Sequence, residues 1–275
     1  MTNLKFDNQH HVIFFLYAII IIIALSGCSH TDRRHDLVNG LEPEINEVRA
    51  INSLDTDAPE KNHIALAKTL IEKRYYDVAL RQLQTASHDR ENRSAELFYL
   101  MGVCYRESER YAQAIDSFNR AIQTDKEFAF AYNGLGLTLA FTGQGDKALE
   151  HFIKAIELNP ARADFYNNAG FLAMKQGQYK QAEDFFRKAI SIETGFEQAI
   201  NNLAICLGMT GREEEALGLL MTINSPATAY HDMGVIYNMQ GNNEKAKEMF
   251  DKANAIKLKL PVSNSQGSSF NEGIK

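Results

Sequence analysis

From about residue 60 to 257, apolar residues recur three and four positions apart, in runs broken by short polar or glycine-bearing stretches. That spacing belongs to amphipathic helices and not to strands, whose period is two. The runs repeat at a longer interval. Ala79, Ala114, Ala148, Ala182, Ala216 and Ala246 lie 35, 34, 34, 34 and 30 residues apart. A second column, Ala67, Gly102, Gly136, Gly170, Ala204 and Gly234, has the same intervals. Two columns with one period, including the same short step, predict six helix–turn–helix units, near 60–94, 95–128, 129–162, 163–196, 197–226 and 227–257. The small residue marks where the first helix of a pair crosses the second. Gly143, Gly177, Gly211 and Gly241 fall between the helices, where a positive φ ends the first of them without steric cost. Unit five lacks four residues around Met221–Pro226, which predicts a second helix about one turn short.

Ahead of the repeats, Val12 to Leu25 is an apolar run of fourteen residues. A bilayer-spanning helix needs about 20, so the run has the length of a signal-peptide core. Residues 28–59 are polar with scattered apolar positions and read as a tether. The tail from 258 to 275, rich in Ser, Asn and Gly, reads as disordered.

Two resemblances rest on these residues. Leu25-Ser26-Gly27-Cys28 resembles the lipobox of bacterial lipoproteins. It implies cleavage before Cys28, acylation of that residue and, with Ser and not Asp at 29, placement on the periplasmic face of the outer membrane. More than one fatty chain gives stable anchoring. The repeats resemble the tetratricopeptide repeat, shown best by Tyr132, Leu135-Gly136, Leu139, Ala148, Phe152, Ala155 and Pro160 of unit three. This implies an all-α superhelical solenoid of about six repeats. No single repeat buries its own apolar face, so the array is stable through its stacking.

Composition changes this picture little. The formal charge is −6, and the longest basic cluster is Arg33-Arg34-His35, which gives no phosphate-neutralising stripe and points away from nucleic acid. Three cysteines, 28, 104 and 206, form no CxxC pair, and His63, His88, His151 and His231 lack metal-ligand spacing. No metal, cofactor or small-molecule substrate is expected. Glu213-Glu214-Glu215 opens a second helix, where carboxylates favour the positive dipole end, and reads as a solvated face. Gly143-Gln144-Gly145 lacks the strand a phosphate loop needs. No nucleophile, base and orienting group assemble, so no enzyme is expected.

By the family's register, the first helices present an inner groove. Its lining is expected to be Asn133, Asn167, Asn168, Asn201, Asn202 and His231 as a polar row, with Leu137, Phe171, Met174, Ile205 and Val235 beside it. Amides both donate to and accept from a peptide backbone, and methionine adapts to apolar anchors. A partner protein or peptide segment is therefore the expected ligand. A lipid-anchored array of this kind resembles pilus-biogenesis lipoproteins, the TadD proteins of tight-adherence (Flp) pili and the pilotins of type IV pili, which implies service to a secretin. An adaptor in peptidoglycan remodelling or polysaccharide export would use the same scaffold.

Overall fold

The computed structural model describes residues 59–88 and 93–259. The apolar run 12–25, Cys28, the tether up to residue 58 and the tail from 260 lie outside them. Among the described residues there are twelve helices and no strand. In chain order they are α1 Pro59–Glu72, α2 Tyr76–His88, α3 Ala95–Glu107, α4 Tyr111–Thr124, α5 Ala129–Phe141 and α6 Gly145–Leu158. There follow α7 Ala163–Lys175, α8 Tyr179–Ile192, α9 Glu197–Met209, α10 Glu213–Ile223, α11 Pro226–Met239 and α12 Asn243–Lys259. The described chain divides into two compact units that part inside α9, one ending at Cys206 and the other starting at Leu207.

In the first unit the small-residue column does what the spacing predicts. A Cβ on Gly102 of α3 would lie 2.7 Å from the ring of Phe118 of α4, and one on Gly134 of α5 would lie 2.5 Å from the same ring. Phe118 is thus wedged between the first helix of its own pair and that of the next, and it is fully buried. Gly136 meets Phe152 and Gly170 meets Phe186 in the same way, at 2.8 and 2.7 Å. Interiors close-packed to this degree leave no room for another methyl group. In the second unit Gly234 of α11 lies against Phe250 of α12, with Leu207, Leu220, Met233 and Ile236 as its largest fully buried side chains.

The turns inside the pairs follow one design. The Gly143 N–H donates to the Ala140 carbonyl and the Gln144 N–H to that of Leu139, the double closure that ends a helix on a left-handed residue. Gly143, Gly177, Gly211 and Gly241 all have φ between 76 and 82°. Arg74 and Glu109 hold the same place in the first two pairs at φ 65 and 60° without being glycine, a strained choice the sequence does not announce. The shortened unit also follows the prediction: α10 has 11 residues where α4, α6 and α8 have 14. Ser225 then caps α11, its Oγ accepting the Thr228 N–H, with Pro226 in the first turn.

The first and last described helices are more exposed than their inner counterparts on one side. Ala65 and Thr69 of α1 are exposed, whereas their counterparts Leu100 and Cys104 in α3 are buried. On α12, Lys247 and Asn254 are exposed where α4 has the half-buried Ile115 and Ile122.

Candidate functional site: an amide-bearing apolar row

The first helices of pairs two to four turn one stripe outward by helical spacing: Tyr99 and Val103 on α3, Asn133 and Leu137 on α5, Asn168 and Phe171 on α7. All six are half-buried. Asn168 Nδ2 donates to Asn133 Oδ1 at 2.9 Å, tying α7 to α5. Behind Tyr99 lies an aromatic cluster, with ring centroids 5.5 Å from Phe128 and 6.1 Å from Phe130, and with Phe130 packed edge-on against Phe165 at 5.6 Å. Burial holds the Tyr99 hydroxyl above its ordinary pKa, so it stays a neutral donor.

Cations beside this stripe are already matched. Lys68 pairs with Glu96 at 2.7 Å and Arg106 with Glu107 at 2.8 Å. Arg162 lies 5.0 Å over the Phe130 ring and grips Asp164 through two hydrogen bonds of 2.8 and 2.9 Å. Such exposed pairs add little stability. Their consequence here is chemical: a free carboxylate finds no unmatched Arg in the stripe, whereas uncharged apolar groups and backbone amides find partners.

Four residues expected to line the groove are buried instead. Asn167 is 9% exposed, Asn202 8%, Met174 8% and Ile205 2%. Consecutive helix positions point about 100° apart, so of two adjacent asparagines one is turned into the helix interface. Asn202 Nδ2 donates to Asn167 Oδ1 at 3.0 Å, a second asparagine rung that spans 35 residues like the first. These amides hold helices together and do not face a ligand. Asn201 is half-buried, and its Oδ1 is closed from solvent without a hydrogen-bond partner.

The remaining expected residues lie in the second unit. His231 has half its side chain exposed, its ring 5.3 Å from Phe250, and Val235 is half-buried. The slot filled by Asn168 and Asn202 in earlier repeats holds Asp232 here. Its carboxylate is buried, accepts from Asn224 Nδ2 at 3.2 Å and faces His231 Nδ1 at 3.4 Å. Burial raises its pKa above the ordinary 3.8, against the opposing pull of His231. A raised carboxyl favours folding below pH 3.8, and that contribution is lost as pH climbs through the raised value. Asp232→Asn should therefore stabilise the second unit at pH 7 by about 1 kcal/mol and give no advantage below that window. Urea unfolding at several pH values checks this; a neutral-pH loss would contradict it.

Glu213 is not free acid–base machinery. Its carboxylate accepts from Tyr237 Oη at 2.6 Å and from Lys245 at 2.9 and 3.0 Å, clamping α10 to α11 and α12. The Tyr237 hydrogen bond, with Lys245, lowers its pKa. Cys104 and Cys206 are buried, and desolvation pushes both thiols up to about 12. Among the described residues no three metal-ligating side chains cluster, and no helix is long and apolar enough to cross a membrane.

Stacked helical hairpins with crossing glycines and left-handed turns define a helical-repeat scaffold. The chain is, more narrowly, a tetratricopeptide-repeat protein: tetratricopeptide-repeat models match residues 95–128, 141–177, 173–229 and 227–259. Proteins of this fold bind protein or peptide partners. No curated protein sequence matches it. Among solved structures it is similar in fold to PilW, a widely conserved type IV pilus biogenesis factor, with TM-score 0.61 and 18% identity over 74% of this chain and 96% of that one. It is similar to PilF of Pseudomonas aeruginosa, with TM-score 0.59 and 15% identity over 74% and 94%. YrrB, described as a tetratricopeptide-repeat protein with an unusual peptide-binding site, gives TM-score 0.52 and 24% identity over 64% and 93%. At these identities the likeness is one of fold.

Proposed function

We propose that this chain is a lipid-anchored scaffold at the periplasmic face of the outer membrane. It holds an uncharged, apolar stretch of a partner protein and serves as a pilotin-like factor in Flp- or type IV-type pilus assembly, with a secretin as the partner. The observation that carries the binding half is the stripe Tyr99–Val103, Asn133–Leu137, Asn168–Phe171, apolar and amide-bearing, with its neighbouring Lys68, Arg106 and Arg162 already matched by carboxylates. Asn133 and Asn168 spend one donor and one acceptor on each other and keep amide groups for a peptide backbone. The lipobox around Cys28 supports the anchor, and the fold likeness to PilW and PilF supports the pilus. The role is binding, without a catalytic step.

A photo-crosslinking amino acid in place of Leu137 tests both halves in cells. The expected adduct is a secretin or another pilus component. Cys28→Ser should abolish it by releasing a folded protein from the membrane fraction. Adducts with amidases, synthases or export channels would transfer the chain to envelope remodelling or polysaccharide export. An adduct that persists in the Cys28→Ser cells would remove the anchor.

A further inference from the structure

The second helix of one pair roofs the first helix of the next: α2 packs on α3, α4 on α5 and α6 on α7. Two contacts fix how that roof sits. A Cβ on Gly134 of α5 would lie 2.5 Å from the Phe118 ring of α4, and a Cβ on Gly145, at the start of α6, would lie 3.7 Å from Leu172 of α7. Gly134 and Leu172 are buried there, and so are Leu100 and Cys104, which hold the same two places in α3. In α1 those places fall to Ala65 and Thr69, and both are exposed. Leu66 beside them is half-buried where Met101, Leu135 and Ala169 are buried. Among the described residues no helix precedes α1 to roof it.

The chain just ahead of α1 carries the pattern of such a roof. Leu80, Leu83 and Ala86, buried on α2, lie 35 residues before Ile115, Phe118 and Ala121 of α4. Another 35 residues upstream stand Ile45, Val48 and Ile51, at the three-residue spacing of neighbours on a helix. Glu42, Pro43 and Glu44 suit a first turn, where carboxylates meet the positive dipole end and proline's missing N–H is no loss. Four residues separate Leu54 from Pro59, as four separate α4 from α5 and α6 from α7.

We propose that residues 41–54 form a further helix that docks on the open side of α1, an unpaired second helix that begins the array. Val48 falls over Ala65 as Phe118 falls over Gly134, with Ile45 and Ile51 flanking it. The chain itself is the occupant because this interface already recurs along the array and the segment joins α1 through a turn of the same length. A repeat array needs its terminal face covered, and this segment covers it. The first end of the array is then closed to a partner. The spacer left between Cys28 and the array is residues 29–40, which reaches about 40 Å at full extension.

The test uses the full chain in detergent with Cys28→Ser, since the thiols of Cys104 and Cys206 are buried and pushed up to about 12. Cysteine is placed at 47, 48 or 49 together with Ala65→Cys, and a short bifunctional thiol reagent is added. Val48→Cys should be bridged to position 65 about tenfold faster than Glu47→Cys or Arg49→Cys, because consecutive helix positions point about 100° apart. Equal bridging at all three would mean a free chain and overturn the proposal, and bridges between two chains would overturn the choice of occupant. Hydrogen exchange on the unmodified protein is the second measurement. Amides of 48–54 should exchange at least about tenfold more slowly than a free chain. Val48→Asp should abolish that protection and leave α5–α8 protected. Free-chain exchange in the unmodified protein, or protection that survives Val48→Asp, would overturn the docked helix.

Discussion

Gly170→Leu should lower stability by about 3 kcal/mol or more, at the upper end of what overpacked sites show. A Cβ at this position already lies 2.7 Å from Cε1 of Phe186 and 3.1 Å from Cβ of Phe185. Phe186 is fully buried between helices, so its ring has no solvent to move into. The remaining carbons of leucine must then separate α7 from α8, and with them the packing of the neighbouring pairs. Helix propensity works the other way, since leucine is favoured over glycine by somewhat less than 1 kcal/mol, and it is outweighed. Gly218→Ala is the control. An added Cβ there meets nothing within 4 Å, so propensity alone should act and stability should rise by up to about 1 kcal/mol. Chemical unfolding of both variants decides the matter; an unchanged Gly170→Leu midpoint would mean that the crossing does not run through this glycine.

That prediction was within reach of the sequence, because a small residue recurring opposite a recurring Phe has one mechanical use. The left-handed turns were equally legible at Gly143, Gly177, Gly211 and Gly241 and illegible at Arg74 and Glu109, where residue type hides the conformation. The short α10 could be counted directly from the interval. The site was legible only in outline. Register places Asn167 and Asn168 in the same helix turn, but which of them meets solvent depends on how the next helix lies over them, and neighbours 100° apart have opposite fates. Ile205 failed for the same reason: an apolar residue in a groove column is as easily part of the core.

The two asparagine rungs make opposite demands, and a double-mutant cycle separates them. At the buried rung, Asn202→Leu removes the Nδ2 donor and strands Asn167 Oδ1 in the interior; Asn167→Leu strands the donor in turn. Each should cost about 1–3 kcal/mol, the penalty for a buried polar group without a partner. Replacing both by leucine removes both polar groups at once, so the double variant should be close to the unmodified protein in stability, with a coupling of about 2 kcal/mol or more. At the half-exposed rung, Asn133→Leu leaves Asn168 within reach of water, and the stability cost should stay below 1 kcal/mol or so. Its effect belongs in partner capture, because the amide it deletes is one a guest backbone would use. A buried pair whose single-variant costs simply add would mean that the Asn167–Asn202 hydrogen bond carries no energy, and the division of the asparagines into interior ties and ligand-facing groups would fail with it.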